Sequence, residues 1–205
     1  VGSTITISCN KATDDLAEKL DGIAPRTGAG AQCTSPLPDK ALSLLEMGAG
    51  PGNKLLPEAA LPRARSILGL AGWIVCHARP DAMLAFVAIA RRVSPGRLTE
   101  YAWDRLVQWG TYLVKTRDIH LTMRKVPAGT GAACYSDSSA LNGPVPGSSY
   151  GGACLQYSTG DPTLPDTVMS GAIWARCLVP PKLGDSSAAA ELIMAAPCTA
   201  SGAAS

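Results

Sequence analysis

Cys134-Tyr135-Ser136-Asp137-Ser138-Ser139 reads as a short strand with one carboxylate, overlapping a run predicted as β from Ala132 to Asp137. Two more strand-length runs, Ser148 to Tyr157 and Val168 to Leu178, follow it, separated by Gly/Pro/Ser loops. Asp185-Ser186-Ser187-Ala188-Ala189-Ala190-Glu191-Leu192 then opens a helix predicted over Ser186 to Ala196, with Asp185 or Ser186 as N-cap and Pro197 near its end. Three strands and then a helix read as half of an α+β sheet.

Upstream of Arg124-Lys125 the pattern is helical. Arg63 to His77 contains the apolar run Ile67-Leu68-Gly69-Leu70-Ala71-Gly72-Trp73-Ile74-Val75-Cys76, and Pro80 opens a second apolar helix, Asp81 to Val93. Proline suits a first helical turn, where its missing N–H is not needed, and Asp81 favours the positive end of the helix dipole. Ser94-Pro95-Gly96 ends that helix. Both helices are apolar almost all round, which calls for burial on more than one side. Each run is nearer about ten residues than the roughly twenty that span a bilayer. A buried helical hairpin follows, with a re-entrant or membrane-complex contact as the alternative. A third helix, Thr99 to Lys115, is amphipathic: Trp103, Leu106, Val107, Gly110, Leu113 and Val114 share one face, and Asp104 and Arg105 lie off it. Its tryptophans read as core.

Residues 1–60 read as a loosely structured Gly/Pro-rich lead-in holding a short strand, Thr4 to Ser8, and a polar helix, Thr13 to Leu20. Gly48-Ala49-Gly50-Pro51-Gly52-Asn53-Lys54 shares glycines with a phosphate loop but lacks the Gly-Lys-Ser/Thr ending and a buried strand leading in, so it reads as a linker. The expected organisation is thus residues 1–60 as lead-in, 61–126 as a helical region and 127–205 as the sheet domain.

A hydrophobic content of 46% over 205 residues supports a core and excludes a disordered chain. Aromatic residues make up only 5%, so that core must be aliphatic with close backbone contacts. Charge is uneven, net +5 over residues 1–130 and net −3 beyond, which suits either a solvated surface or a phosphate backbone facing the first part. Seven cysteines at irregular spacing, without a CxxC pair, read as free thiols in a reducing, intracellular compartment. His77 and His120 stand apart from one another and from any cysteine pair, as structural residues do. No basic start followed by an apolar run marks a signal peptide, and the first residue is Val1, as expected for a processed product or part of a longer polypeptide.

Taken in order, Arg65-Ser66-Ile67-Leu68-Gly69, Arg79-Pro80-Asp81 running to Ala90-Arg91, Tyr112-Leu113-Val114-Lys115-Thr116, Tyr135-Ser136-Asp137, Ile173-Trp174 and Ser186-Ser187-Ala188-Ala189-Ala190-Glu191 form a series. Over about residues 60–196 this series resembles the copia-type retrotransposon polyprotein, from the end of its reverse transcriptase into its ribonuclease H domain. The family's first Glu of the helix start is Ala189 here, whereas the second is kept as Glu191. The resemblance implies a helical, thumb- or connection-like region followed by a partial ribonuclease H-like sheet of three strands and one helix. The polymerase's own acidic site would lie upstream of Val1, and two later acids of the nuclease site beyond Ser205.

The same resemblance implies an RNA–DNA hybrid as partner, contacted by Lys115, Arg117, Arg124 and Lys125 near the Asp137 strand. It implies Asp137 and Glu191 as catalytic carboxylates holding Mg²⁺. In the family's two-metal reaction, two ions roughly 3.5–4 Å apart activate water and stabilise the leaving oxygen. Mg²⁺ takes about six oxygen ligands, so two carboxylates leave the pair under-coordinated and cleavage weak or absent. Read without the resemblance, Asp137 also suits a cap of the turn into Ser138-Ser139, and Glu191 a surface helix position. The alternative function is a non-catalytic structural or accessory subunit of a larger, membrane-associated or soluble complex. Protein partners would then cover the open sheet edge and the apolar hairpin from Ile67 to Ile89.

Overall fold

A computed structural model describes residues 4–23, 36–48, 50, 53–126, 130–139, 150–159 and 169–178. The chain is α+β and divides into two compact units, Ser8–Ile119 and the combination of Val1–Ile7 with His120–Ser205. The helical unit begins at Ser8, inside the stretch expected as lead-in, and holds α1 (Asn10–Leu20), α2 (Asp39–Met47), α3 (Leu61–Ala78), α4 (Met83–Ala90) and α5 (Glu100–Lys115).

The centre of this unit is α5, with eleven of its 16 residues buried. Its start is fixed by Thr99, whose hydroxyl accepts a hydrogen bond from Ala102 N at 3.2 Å, and Glu100 and Lys115 sit at the ends that suit their charges. The expected face, from Trp103 to Leu113, is buried. Asp104 and Arg105, which the pattern puts off that face, are buried as well, because neighbouring helices cover α5 on nearly every side. Arg105 lies over the Tyr101 ring at 5.0 Å, which keeps a guanidinium tolerable there.

Two glycines set the close approaches. A Cβ on Gly72 of α3 would lie 2.7 Å from the Phe86 ring of α4, and one on Gly110 of α5 would lie 3.0 Å from Leu20 of α1. Below these contacts Ala64, Ile67, Ala71, Ile74, Val75 and Ala78 give α3 its inward face. The core is mostly aliphatic, but Tyr101, Trp103, Trp109 and Tyr112, all on α5, are buried in it, so the few aromatic residues are concentrated at the centre rather than absent from it.

One polar network clamps the corner between α3 and α4. Arg79 follows the last residue of α3 and is only 3% exposed. Its Nε and Nη2 donate to the two Asp81 carboxylate oxygens at 2.9 Å each, and Nη1 donates to the Thr116 carbonyl at 2.9 Å. Tyr112 of α5 donates its hydroxyl to Asp81 Oδ2 at 2.8 Å, with the guanidinium 5.1 Å from its ring centroid. Burial pushes the Asp81 pKa up, but hydrogen bonds from Arg79 and Tyr112 and the Arg79 charge outweigh it, leaving it below the usual carboxylate value. For Arg79, burial acts downward and the same partners win in the opposite direction.

In the second unit, β1 (Thr4–Ile7) pairs antiparallel with β2 (Leu121–Arg124), Thr4 facing Arg124. The strands β3 (Gly131–Ser139), β4 (Tyr150–Ser158) and β5 (Met169–Leu178) form an antiparallel meander in that order. All three lie where alternation and turn residues predict them. Ala153 and Leu155 are buried on one face of β4, Gln156 and Ser158 on the other, so this strand is covered on both sides. The helix expected over Ser186 to Ala196 lies outside the described residues.

Replacing Asp81 by Ala strands a buried guanidinium. Urea unfolding at neutral pH is expected to show a loss of about 2 kcal/mol, less than for a fully buried pair because Asp81 is 38% exposed. Since the folded-state pKa of Asp81 is lowered, its contribution is complete above the ordinary carboxylate value of about 3.9 and fades as pH falls below it. The gap between wild type and Asp81→Ala should therefore narrow in acid.

Candidate functional site

Asp137 stands on β3 with Gly152 as its partner on β4, so the neighbouring strand contributes no side chain at that position. Glu191 lies outside the described residues. Among the described residues no three His, Cys, Asp or Glu side chains converge as a metal ion would need. Cys9 and Cys76 are free thiols, and burial raises the pKa of Cys9 and of Cys154.

The four basic residues expected at a hybrid fall into two groups. Lys115 ends α5 and Arg117 follows it, both in the helical unit, whereas Arg124 ends β2 and Lys125 follows it in the other. Arg117 is paired with Asp14 at 3.1 Å across an exposed surface, a contact worth about 0–1 kcal/mol and easily traded for a phosphate. His77 is likewise engaged, with Nδ1 2.7 Å from the Trp73 carbonyl oxygen. A carbonyl only accepts, so Nδ1 carries the proton in this contact.

That histidine belongs to a feature absent from the sequence expectation. At 100° per residue, Pro62, Ser66, Gly69, Trp73 and His77 form one stripe on α3, opposite its buried face. Trp73 is 58% exposed and stacked on the His77 ring at 3.8 Å between centroids. Nothing would meet a Cβ on Gly69, so the surface before the tryptophan is open and flat. Arg63 and Arg65 fall on either side of the stripe, both exposed, and neither has an ion-pair partner among the described residues. The helix contains no Asp or Glu at all.

The stripe was readable in principle. Within an otherwise apolar run, the outward positions hold proline, serine, glycine and then one large aromatic residue, a combination that burial does not require. All-round apolarity hid it, because glycine and tryptophan count as hydrophobic in a periodicity reading.

No family model matches the chain, and no curated protein or solved structure does so either. Among the described residues no helix is long and apolar enough to cross a membrane.

An exposed tryptophan can be removed without leaving a cavity. Trp73→Ala is expected to cost less than about 1 kcal/mol in urea unfolding, whereas Trp109→Ala, fully buried against Phe86, should cost about 3–5 kcal/mol.

Proposed function

We propose that the chain is a retroelement-derived reverse transcriptase and ribonuclease H-like segment that binds RNA–DNA hybrid. The observation that carries this reading is the outward face of α3: a flat track ending in the Trp73–His77 stack, flanked by Arg63 and Arg65 and free of acids. From Pro62 to His77 the track runs about 22 Å at 1.5 Å per residue. A near A-form hybrid presents a wide, shallow minor groove lined by sugars, which admits a smooth helix face but not bulky side chains. The indole packs on sugar edges, and the two arginines reach phosphates on either side.

Two further observations support the ancestry. The Arg79-Pro80-Asp81 step and the Tyr112 to Thr116 stretch, far apart in the chain, meet in the corner network, so their joint presence has a structural basis. The β3–β4–β5 meander agrees with the first three strands of a ribonuclease H-like sheet and carries Asp137 on its first strand. In this reading Asp137 and Glu191 would hold Mg²⁺, which would supply charge stabilisation at the scissile phosphate. Asp137 and Glu191 alone would leave Mg²⁺ short of its about six oxygen ligands, and with only this pair RNA cleavage is expected to be weak or absent.

A second reading, the non-catalytic accessory subunit, draws on the outer edge of β3, which has no strand partner among the described residues. A partner protein that adds a strand there would close the sheet.

Fluorescence anisotropy with a labelled hybrid duplex separates the two. Hybrid binding should exceed binding to double-stranded DNA, weaken about five- to tenfold in Trp73→Ala, and lose about one unit of salt slope for each of Arg63→Ala and Arg65→Ala. Equal affinity for all duplexes with no effect of Trp73→Ala would reject the hybrid reading. Mn²⁺- or Mg²⁺-dependent cutting of the RNA strand, lost in Asp137→Asn, would overturn the expectation of weak activity and establish a nuclease.

A further inference from the structure

A cleft of about 260 Å³ opens in the helical unit between the end of α2, the turn after α4 and the first turn of α5. Among the described residues Arg92 and Arg97 line it and no Asp or Glu does, while Asn53, whose amide donates to the Gly48 carbonyl, Thr99 and Tyr101 add neutral polar groups above a floor of leucine and alanine. Gly48 and Asn53 come from the glycine-rich stretch whose sequence lacks a phosphate loop's ending.

Several of these groups are held in place by the protein itself. Arg92 donates from Nε to the Leu45 carbonyl at 2.5 Å and from Nη2 to the Glu46 carbonyl, which fixes its charge against the end of α2. Gly48, at φ +62°, turns the chain beneath it, and a Cβ there would lie 3.1 Å from Arg92 Nη1. The Tyr101 ring is pinned by Gly50, where a Cβ would come within 2.7 Å, and by Arg105. Arg97 differs from all of these. It follows Gly96, whose φ of +69° swings the chain round, is exposed, and has no ion-pair partner among the described residues.

A fixed guanidinium and a solvated one, in a cleft that no described carboxylate lines, favour an anion with several acceptor oxygens. The apolar floor leaves room for an organic body, and the volume lies just below the roughly 300 Å³ at which pockets for drug-sized ligands begin. We infer that this cleft binds a phosphomonoester of about nucleotide size, either a free nucleoside monophosphate or the 5′-phosphorylated end of a strand. Its phosphate sits between Arg92 and Arg97, and its body lies on the leucine floor. The site shares no residue with the α3 track and does not rest on it.

Calorimetric titration of the full 205-residue chain tests this with AMP, adenosine, and one oligonucleotide with and without a 5′-phosphate. AMP should bind at least about tenfold tighter than adenosine, and Arg97→Ala, which disturbs no packing, should lose about tenfold for AMP. Trp73→Ala should leave AMP binding unchanged even where it weakens hybrid binding, so the two sites fail independently. A phosphorylated oligonucleotide that binds tighter than AMP would identify the strand end as the source, and one that binds no tighter would identify the free mononucleotide. Equal binding of AMP and adenosine, or an Arg97→Ala variant indistinguishable from wild type, would overturn the inference.

Discussion

A single buried guanidinium holds the helical unit in register. Arg79 stands where α3 ends, and its side chain reaches forward to Asp81 at the start of the next turn and across to the Thr116 carbonyl beyond α5. Desolvating that charge is costly, and the fold offsets the cost only when both Asp81 oxygens, the Thr116 carbonyl and the Tyr112 ring are all in place. The network ties the end of α3 to the start of the next turn and to the end of α5.

Much of this architecture was legible in the chain. Proline at position 80, the Ser94-Pro95-Gly96 stop and the Thr99 cap are local signals, because each acts through its own backbone geometry, and the helices accordingly fall near their expected bounds. The three strands from Gly131 onward were equally plain, since strand-length runs bounded by turn residues need no tertiary context. Tertiary effects were harder to read. Burial of Asp104 and Arg105 depends on how many helices surround α5, which no period in a single helix reveals. Helix α2 went unassigned because Asp39 to Met47 is short and lies between Gly/Pro-rich stretches, and its ending relies on an arginine far along the chain. The short pairing of β1 with β2 escaped for a similar reason: its partners lie at opposite ends of the helical unit in sequence.

The candidate site was legible in a different measure. Motif order pointed to carboxylates and to basic residues near the Asp137 strand, and Arg117 proves to be paired with Asp14. Asp137 falls on the expected strand, opposite a glycine. The exposed aromatic stack on α3 could not be inferred from hydropathy, because Trp73 raises the apolar count of the helix while pointing away from its core. Exposure of a large aromatic side chain on a helix face that carries Arg63 and Arg65 and no acid is a property of the folded surface, and for that reason it speaks to function more directly than the motifs do.

The outward cationic face of α3 is proposed to meet a nucleic-acid duplex. The most direct test is heteronuclear NMR of the indole N–H signals during titration with an RNA–DNA hybrid, since the chain has only four tryptophans. The account requires the Trp73 resonance to shift and broaden with added hybrid while that of Trp109, sealed in the core, stays in place. A titration in which hybrid binds but the Trp73 signal does not move would contradict it.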